Sequence, residues 1–174
     1  MKDVLKIKYF LDQPTGVITE SVLEGLPGFC GIEKLGDRPL AVLECDQEIP
    51  CNPCEDICPG GAIKVGRPIT NLPSIDPSKC NGCLKCIRIC PGLCIFVIIK
   101  DYTEDTSLIY MPYEFCDVPG NGEKVLVLDR YGKNICKGRV VKAIKKDKKY
   151  RTAIIAIQVP KIYVNSARHF ERIS

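Results

Sequence analysis

Leu5, Ile7 and Tyr9 alternate with Lys6, Lys8 and Phe10, a period of two that predicts a strand over residues 3–11. A second apolar stretch at 17–23 runs into the glycine-rich segment Gly25-Leu-Pro-Gly28-Phe-Cys-Gly31. That segment lacks the G-x-G-x-x-G spacing and has no clear strand leading into it, so it reads as a loop rather than a nucleotide site. Residues 40–44 are expected as a strand, 55–58 as one helical turn and 62–65 as a returning strand. After a linker of proline and turn-forming residues at 66–77, the same order recurs: a strand at 74–76, a helix at 84–90 and a strand at 95–100. The stretch 101–121 is less regular, with Pro112, Pro119 and Gly120 as punctuation. Three further strands are predicted at 125–128, 138–144 and 152–159, separated by turns at 129–132 and 145–149. They suggest a small antiparallel sheet or barrel, completed by the N-terminal strand, and a short helix is expected after Pro160.

This pattern gives an α+β chain with two pseudo-symmetric strand–loop–helix–strand halves. The expected division is an N-terminal β extension over 1–39, a central module over 40–100, and a small antiparallel β domain with a C-terminal helix over 101–174.

The central module carries the chemistry. Cys80-Asn-Gly-Cys83-Leu-Lys-Cys86-Ile-Arg-Ile-Cys90-Pro91 has the spacing C-x2-C-x2-C-x3-C-P that holds 4Fe–4S cubes in two-cluster proteins. Three thiolates two residues apart on a tight loop aim into one concavity. The fourth lies past a helical turn and serves the other cube. Proline after it cannot continue the helix and turns the chain back. One such run predicts a partner, and Cys51-x2-Cys54-x3-Cys58-Pro-Gly supplies it. The offset to the second run is constant at 32 residues (51 to 83, 54 to 86, 58 to 90). A repeat at fixed offset is stronger evidence than either half alone. Only the first ligand departs from the pattern: Glu48 stands where the repeat asks for Cys, and the nearest upstream thiol is Cys45.

The crossing rule divides the thiols into two expected sets. Cys80, Cys83 and Cys86 with Cys58 should hold one cluster. Cys51 and Cys54 with Cys90 and one more thiolate should hold the other; Cys45 is favoured for that place, Cys94 is the runner-up and Cys30 a distant third. A zinc site competes, but it is satisfied by two C-x2-C pairs and leaves a third x2 Cys and the Cys-Pro unexplained. Ile57, Ala62, Ile63, Ile87, Ile89 and Ile95 are expected to shield the clusters. Backbone N–H groups near Asn52 and Asn81-Gly82 are expected to donate to cluster sulfurs. The remaining thiols Cys30, Cys94, Cys116 and Cys136 read as small buried hydrophobes.

Composition narrows the class. Twelve Cys in 174 residues is high, and a secreted disulfide scaffold would explain it. Yet Lys2, Asp3, Lys6 and Lys8 break every apolar run near the start as no signal peptide would allow. The longest apolar run, 93–99, is too short for a bilayer. The expectation is a cytoplasmic protein without a membrane segment, in which clustered Cys bind metal. The formal charge of +4 belongs to the chain with neutral thiols. Two cubes of about −2 each bring it near neutrality, which weakens any nucleic-acid reading. The basic turn at 145–151 reads as a solvated hairpin tip, with an acidic docking partner as the alternative. His169, the single His, has no partner motif and is expected at the surface.

At the two Cys runs the chain resembles the bacterial two-4Fe–4S ferredoxin family, over about residues 40–100. The phrase Glu44-Cys45-x2-Glu48-Ile49-Pro50-Cys51-Asn52-Pro53-Cys54 also looks like ferredoxin-type subunits that accompany flavin-dependent amino- or imino-acid dehydrogenases in anaerobes. The first resemblance implies two 4Fe–4S clusters. The second implies an electron-transfer subunit in a hetero-oligomer with flavin-containing partners, itself without catalytic residues. Segments before 40 and after 100 exceed what a cluster module needs and favour a subunit. A free ferredoxin-like carrier is the alternative, and a cluster-based sensor of nucleic acid a remote one.

Overall fold

The computed structural model describes residues 16–173. The strand expected at 3–11 lies outside the described residues. Elements in chain order are α1 (Glu20–Glu24), β1 (Leu40–Leu43), α2 (Pro53–Asp56), β2 (Ile63–Lys64), β3 (Ser74–Ile75), α3 (Lys85–Ile89), β4 (Ile95–Ile99), β5 (Thr106–Tyr113), β6 (Lys124–Leu128), β7 (Asn134–Ile144), β8 (Ala153–Pro160) and β9 (His169–Arg172).

Seven strands form one antiparallel sheet in the order β1-β4-β5-β8-β7-β6-β9, and β2 pairs with β3 in a two-stranded ribbon. Both pairings of the central module join one half to the other. Leu40 to Leu43 oppose Ile98 to Ile95, and Ile63 and Lys64 oppose Ile75 and Ser74. The repeats are therefore interlocked rather than side by side. The three predicted strands after 121 do not make a separate sheet: β5 pairs with β4 on one side and β8 on the other, so hydrogen bonding is continuous across residue 100.

β1 is buried at all four positions and β4 at four of its five, as expected of strands covered on both faces. Leu40, Val42, Phe96 and Ile98 point into the core of the large sheet, with Ile109, Met111, Val140, Ile155 and Ile157. Ala41, Leu43, Ile95 and Val97 point the other way, toward the Cys-bearing loops, with Ile63 and Ile87. The β1–β4 pair is thus a shared wall. Its period of two sends alternate side chains to two cores.

Two elements differ from expectation. Residues 106–113 form a strand despite Pro112. The β4 ladder ends at Val97 opposite Tyr110, so Pro112 lies where β5 is paired with β8 alone, and a missing N–H is tolerated there. The C-terminal helix is absent: after Pro160 come one 3-10 turn, Lys161–Tyr163, and then β9 along the free edge of β6. Phe170 drives this choice by entering the core and stacking on Tyr113 at 5.1 Å, while Arg172 reaches Glu123 and Asp117. The apolar stretch at 17–23 contributes α1, and the glycine-rich segment is a loop whose Gly28 carbonyl accepts from Leu43 N–H.

Candidate iron–sulfur centre

Two chambers lie against the wall formed by β1 and β4. Cys58, Cys80, Cys83 and Cys86 line the first, together with Ala41, Ala62, Ile63, Leu84 and Val97. Cys45, Cys51, Cys54, Cys90 and Cys94 line the second, with Ile49, Pro53, Pro73, Pro91 and Ile95. Each chamber gathers Cys residues from both halves of the repeat. The space outside protein atoms is about 320 Å³ in the first and about 390 Å³ in the second, part of it open to solvent.

Short local structures aim the thiols. Asn52 and Pro53 start α2, with Pro53 at a position where a missing N–H costs nothing. Glu55 on α2 accepts from Val65 N–H at 2.8 Å, Gly66 N–H at 2.9 Å and Lys64 Nζ at 3.2 Å. This ties the helix between Cys54 and Cys58 to the strand that follows. Those three bonds, led by the two backbone donors, hold the Glu55 carboxyl well below its usual range, at about 2. In the second half Gly82 has φ +66°, and a Cβ there would lie 2.4 Å from Pro39. Only glycine lets the Cys80–Cys83 loop press so closely on the chain entering β1. Leu84 follows in the left-handed region at φ +66° and caps α3.

The residues after the remote thiols turn alike. Gly61 and Leu93, 32 residues apart, have φ +59° and +52°. Their N–H groups bond the Cys58 and Cys90 carbonyls at 3.1 and 3.3 Å. Ala62 N–H then donates to Cys58 Sγ at 3.2 Å, and Cys94, Gly92 and Leu93 N–H groups bond the Cys90 sulfur. Gln47, Glu55 and Ile87 N–H groups serve Cys45, Cys54 and Cys86. These amide donors sit after the thiols and in the returning turns.

Charge at the thiols follows burial and these donors. Burial, then neighbouring thiols, pushes Cys54 and Cys86 up to about 12. Hydrogen bonding with Cys94 lowers Cys90 to about 6 and Cys45 to about 7 against the opposing effect of burial, while the same contacts hold the Cys94 thiol far above its ordinary value. Buried thiols of this kind release their protons to solvent when they bind a metal centre, whose positive charge stabilises the thiolate in place of lost hydration. Thiol sets walled by apolar residues and met by N–H donors fit 4Fe–4S groups. Among the described residues no three His, Cys, Asp or Glu side chains converge as a single metal ion would need.

The expected shield is formed chiefly by Ala62, Ile63, Ile87 and Ile95, each at most 2% exposed, whereas Ile57 and Ile89 are half-buried. Cys30 is buried in the sheet core near Cys80, away from the second chamber. Cys136 is half-buried, but Cys116 is exposed, against the expectation of a buried thiol. His169 is half-buried rather than at the surface, its ring 5.9 Å from that of Phe115, and burial lowers its pKa.

Two polar assemblies around the chambers were not foreseen from the sequence. Glu44, just before Cys45, is buried against Arg130 at 2.6 Å and Arg168 at 2.7 Å, and the Arg168 guanidinium lies 5.0 Å from the Phe96 ring centroid. Burial alone would raise the Glu44 pKa; the two guanidinium groups outweigh it and lower it. Arg88, between Cys86 and Cys90, donates to the Lys145 carbonyl at 2.9 Å, pairs with Asp147 at 3.0 Å and covers the Tyr150 ring at 4.5 Å. The basic hairpin tip is thereby folded onto the second Cys-bearing helix instead of standing free.

A family model for the 4Fe-4S dicluster domain matches residues 49–93. The chain is 45% identical over 38 residues, 22% of its length, to a subunit of the Na(+)-translocating ferredoxin:NAD(+) oxidoreductase complex of Acetobacterium woodii. It is 46% identical over 43 residues, 25% of its length, to a subunit of the ion-translocating oxidoreductase complex of Methanosarcina acetivorans. The chain spans only 11% and 15% of those two relatives. Neither is named as part of an amino- or imino-acid dehydrogenase. No solved structure matches the chain. No helix among the described residues is long and apolar enough to cross a membrane. The matched Cys runs and the two thiol-lined chambers make residues 49–93 the core of a 4Fe–4S cluster-binding region.

Proposed function

We propose that the chain is a non-catalytic electron-transfer subunit carrying two 4Fe–4S clusters. Cys58, Cys80, Cys83 and Cys86 hold the first, and Cys45, Cys51, Cys54 and Cys90 hold the second. The observation that carries this reading is the make-up of the chambers, each of which brings together thiols from both halves. Bound cubes take up and pass on electrons one at a time. The protein's own part is to fix the thiolates, keep water from the sulfurs with β1 and β4 side chains, and place N–H donors on them.

The partner is an oxidoreductase subunit with its own redox centre, and a flavin is the centre we favour. The matched relatives support membership of a multi-subunit complex, since both are named as subunits of one. The ligand sets are tested with Cys58→Ala and Cys90→Ala, each reconstituted anaerobically. Each variant should lose or degrade one cluster and keep the other, leaving roughly four to seven irons of about eight. Two variants that both keep all their iron would refute the crossed sets. Anaerobic purification of the untagged native protein, followed by mass spectrometry and a flavin spectrum, tests the partner. A lone monomer would exclude the subunit reading in favour of a free carrier.

A further inference from the structure

One of the differences between the two halves inside the chambers concerns a thiol. The constant offset that matches Cys58-Pro59-Gly60-Gly61-Ala62 to Cys90-Pro91-Gly92-Leu93-Cys94 sets Ala62 against Cys94. Their backbones are alike: the preceding residues share the left-handed turn, and both residues turn an N–H toward the remote thiol. The side chains are not alike. A methyl group lines the first chamber, and a thiol lines the second. Cys94 Sγ is 3.6 Å from Cys90 Sγ and is also hydrogen-bonded with the Cys45 sulfur. Its carbonyl accepts from Glu44 N–H at 2.8 Å, which anchors it beside Cys45. The second chamber thus holds five thiols where a cube takes four.

We propose that Cys94 stays off the iron and donates its one S–H to the ligand sulfur of Cys90, 3.6 Å away, raising the reduction potential of the second cluster relative to the first. This deepens the two-cluster reading above and rests on it. The direction of the bond follows from the ligation. Thiolates bound to iron carry no proton, so the hydrogen in any S–H···S contact among the three must belong to Cys94. A donor at the sulfurs withdraws negative charge, and the reduced cluster, which carries one more electron, gains most from it. Alanine at the matching place offers the first cluster no such donor. The repeat therefore places an added S–H beside one cluster and a methyl group at the matching place beside the other.

The test is Cys94→Ala in the full chain, purified anaerobically, with iron analysis and a potentiometric titration followed by EPR. The expected result is about eight irons as in the wild type, one midpoint potential moved to a more negative value, and the other unchanged. Cys94→Ser, which keeps a donor of similar size, should hold the shifted potential near that of the wild type. Loss of iron or a three-iron signal in Cys94→Ala would make Cys94 a ligand and overturn the proposal, as would two unmoved potentials. A wild-type chain without two 4Fe–4S signals would instead refute the reading on which the proposal rests.

Discussion

Gly82 shows how much of the first chamber hangs on one residue. Its backbone lies at φ +66°, and an added Cβ would come within 2.4 Å of Pro39. Left-handed strain and the clash together should cost about 2–3 kcal/mol in Gly82→Ala. Anaerobic denaturant titration should show that loss, and an unchanged midpoint would contradict the close approach. Glu55 makes a different prediction, in pH. Its folded pKa is lowered to about 2 from an ordinary 4.5, so its contribution is complete above about pH 4.5 and is lost as pH falls toward 2. Glu55→Gln keeps an acceptor and removes the charge. The stability gap between wild type and variant should be constant from pH 7 to 5 and close below 4.5, a difference in which the acid sensitivity common to both proteins cancels. A gap still undiminished at pH 2 would contradict it. Residues at this scale were legible where spacing carries the chemistry. Six of the eight proposed ligands follow from C-x2-C-x3-C repeated at a fixed offset, Cys80 from the further C-x2 of the second run, and Cys45 from being the nearest thiol upstream of Glu48. The fifth thiol of the second chamber was visible only as an alternative ligand, because spacing does not say which sulfur faces which.

Among the elements, the ones defined by their own sequence were readable and the ones defined by their partners were not. Residues 40–43 and 95–99 read as strands from their apolar runs, yet their pairing across the two halves needs the fold. β5 hides behind Pro112, which is acceptable only because β4 has ended by that point. β9 is four residues long and exists because β6 offers an edge and Phe170 finds the core. Glu44, Arg130 and Arg168 are separated by tens of residues, and nothing in their local sequence announces that they meet. This triad joins the entry to Cys45 with the far end of the sheet. Glu44→Gln would leave two guanidinium groups, one of them only 5% exposed, without their counter-charge. Removing one member of a buried ion pair costs about 3–5 kcal/mol. Thermal unfolding under anaerobic conditions should show a loss of that size; a loss below about 1 kcal/mol would assign the triad to the surface class of ion pairs.

For the molecule as a whole, the sheet and the Cys-bearing module are not separable pieces. β1 and β4 send alternate side chains to the sheet core and to the chambers, so packing in one is felt in the other. Arg88 adds a second link by fastening the tip of the β7–β8 hairpin to the helix between Cys86 and Cys90. A small two-stranded ribbon and two short helices would give a cluster module little area for a partner. The seven-stranded sheet holds the chambers against its β1–β4 edge.

Metal content is the most direct test of the paired chambers. Anaerobically reconstituted protein, desalted and analysed for iron and acid-labile sulfide while titrated with dithionite, should hold about eight of each per chain and bleach on taking up about two electrons. A colourless chain that retains zinc, or one that saturates at four irons, would contradict two cubes on this scaffold.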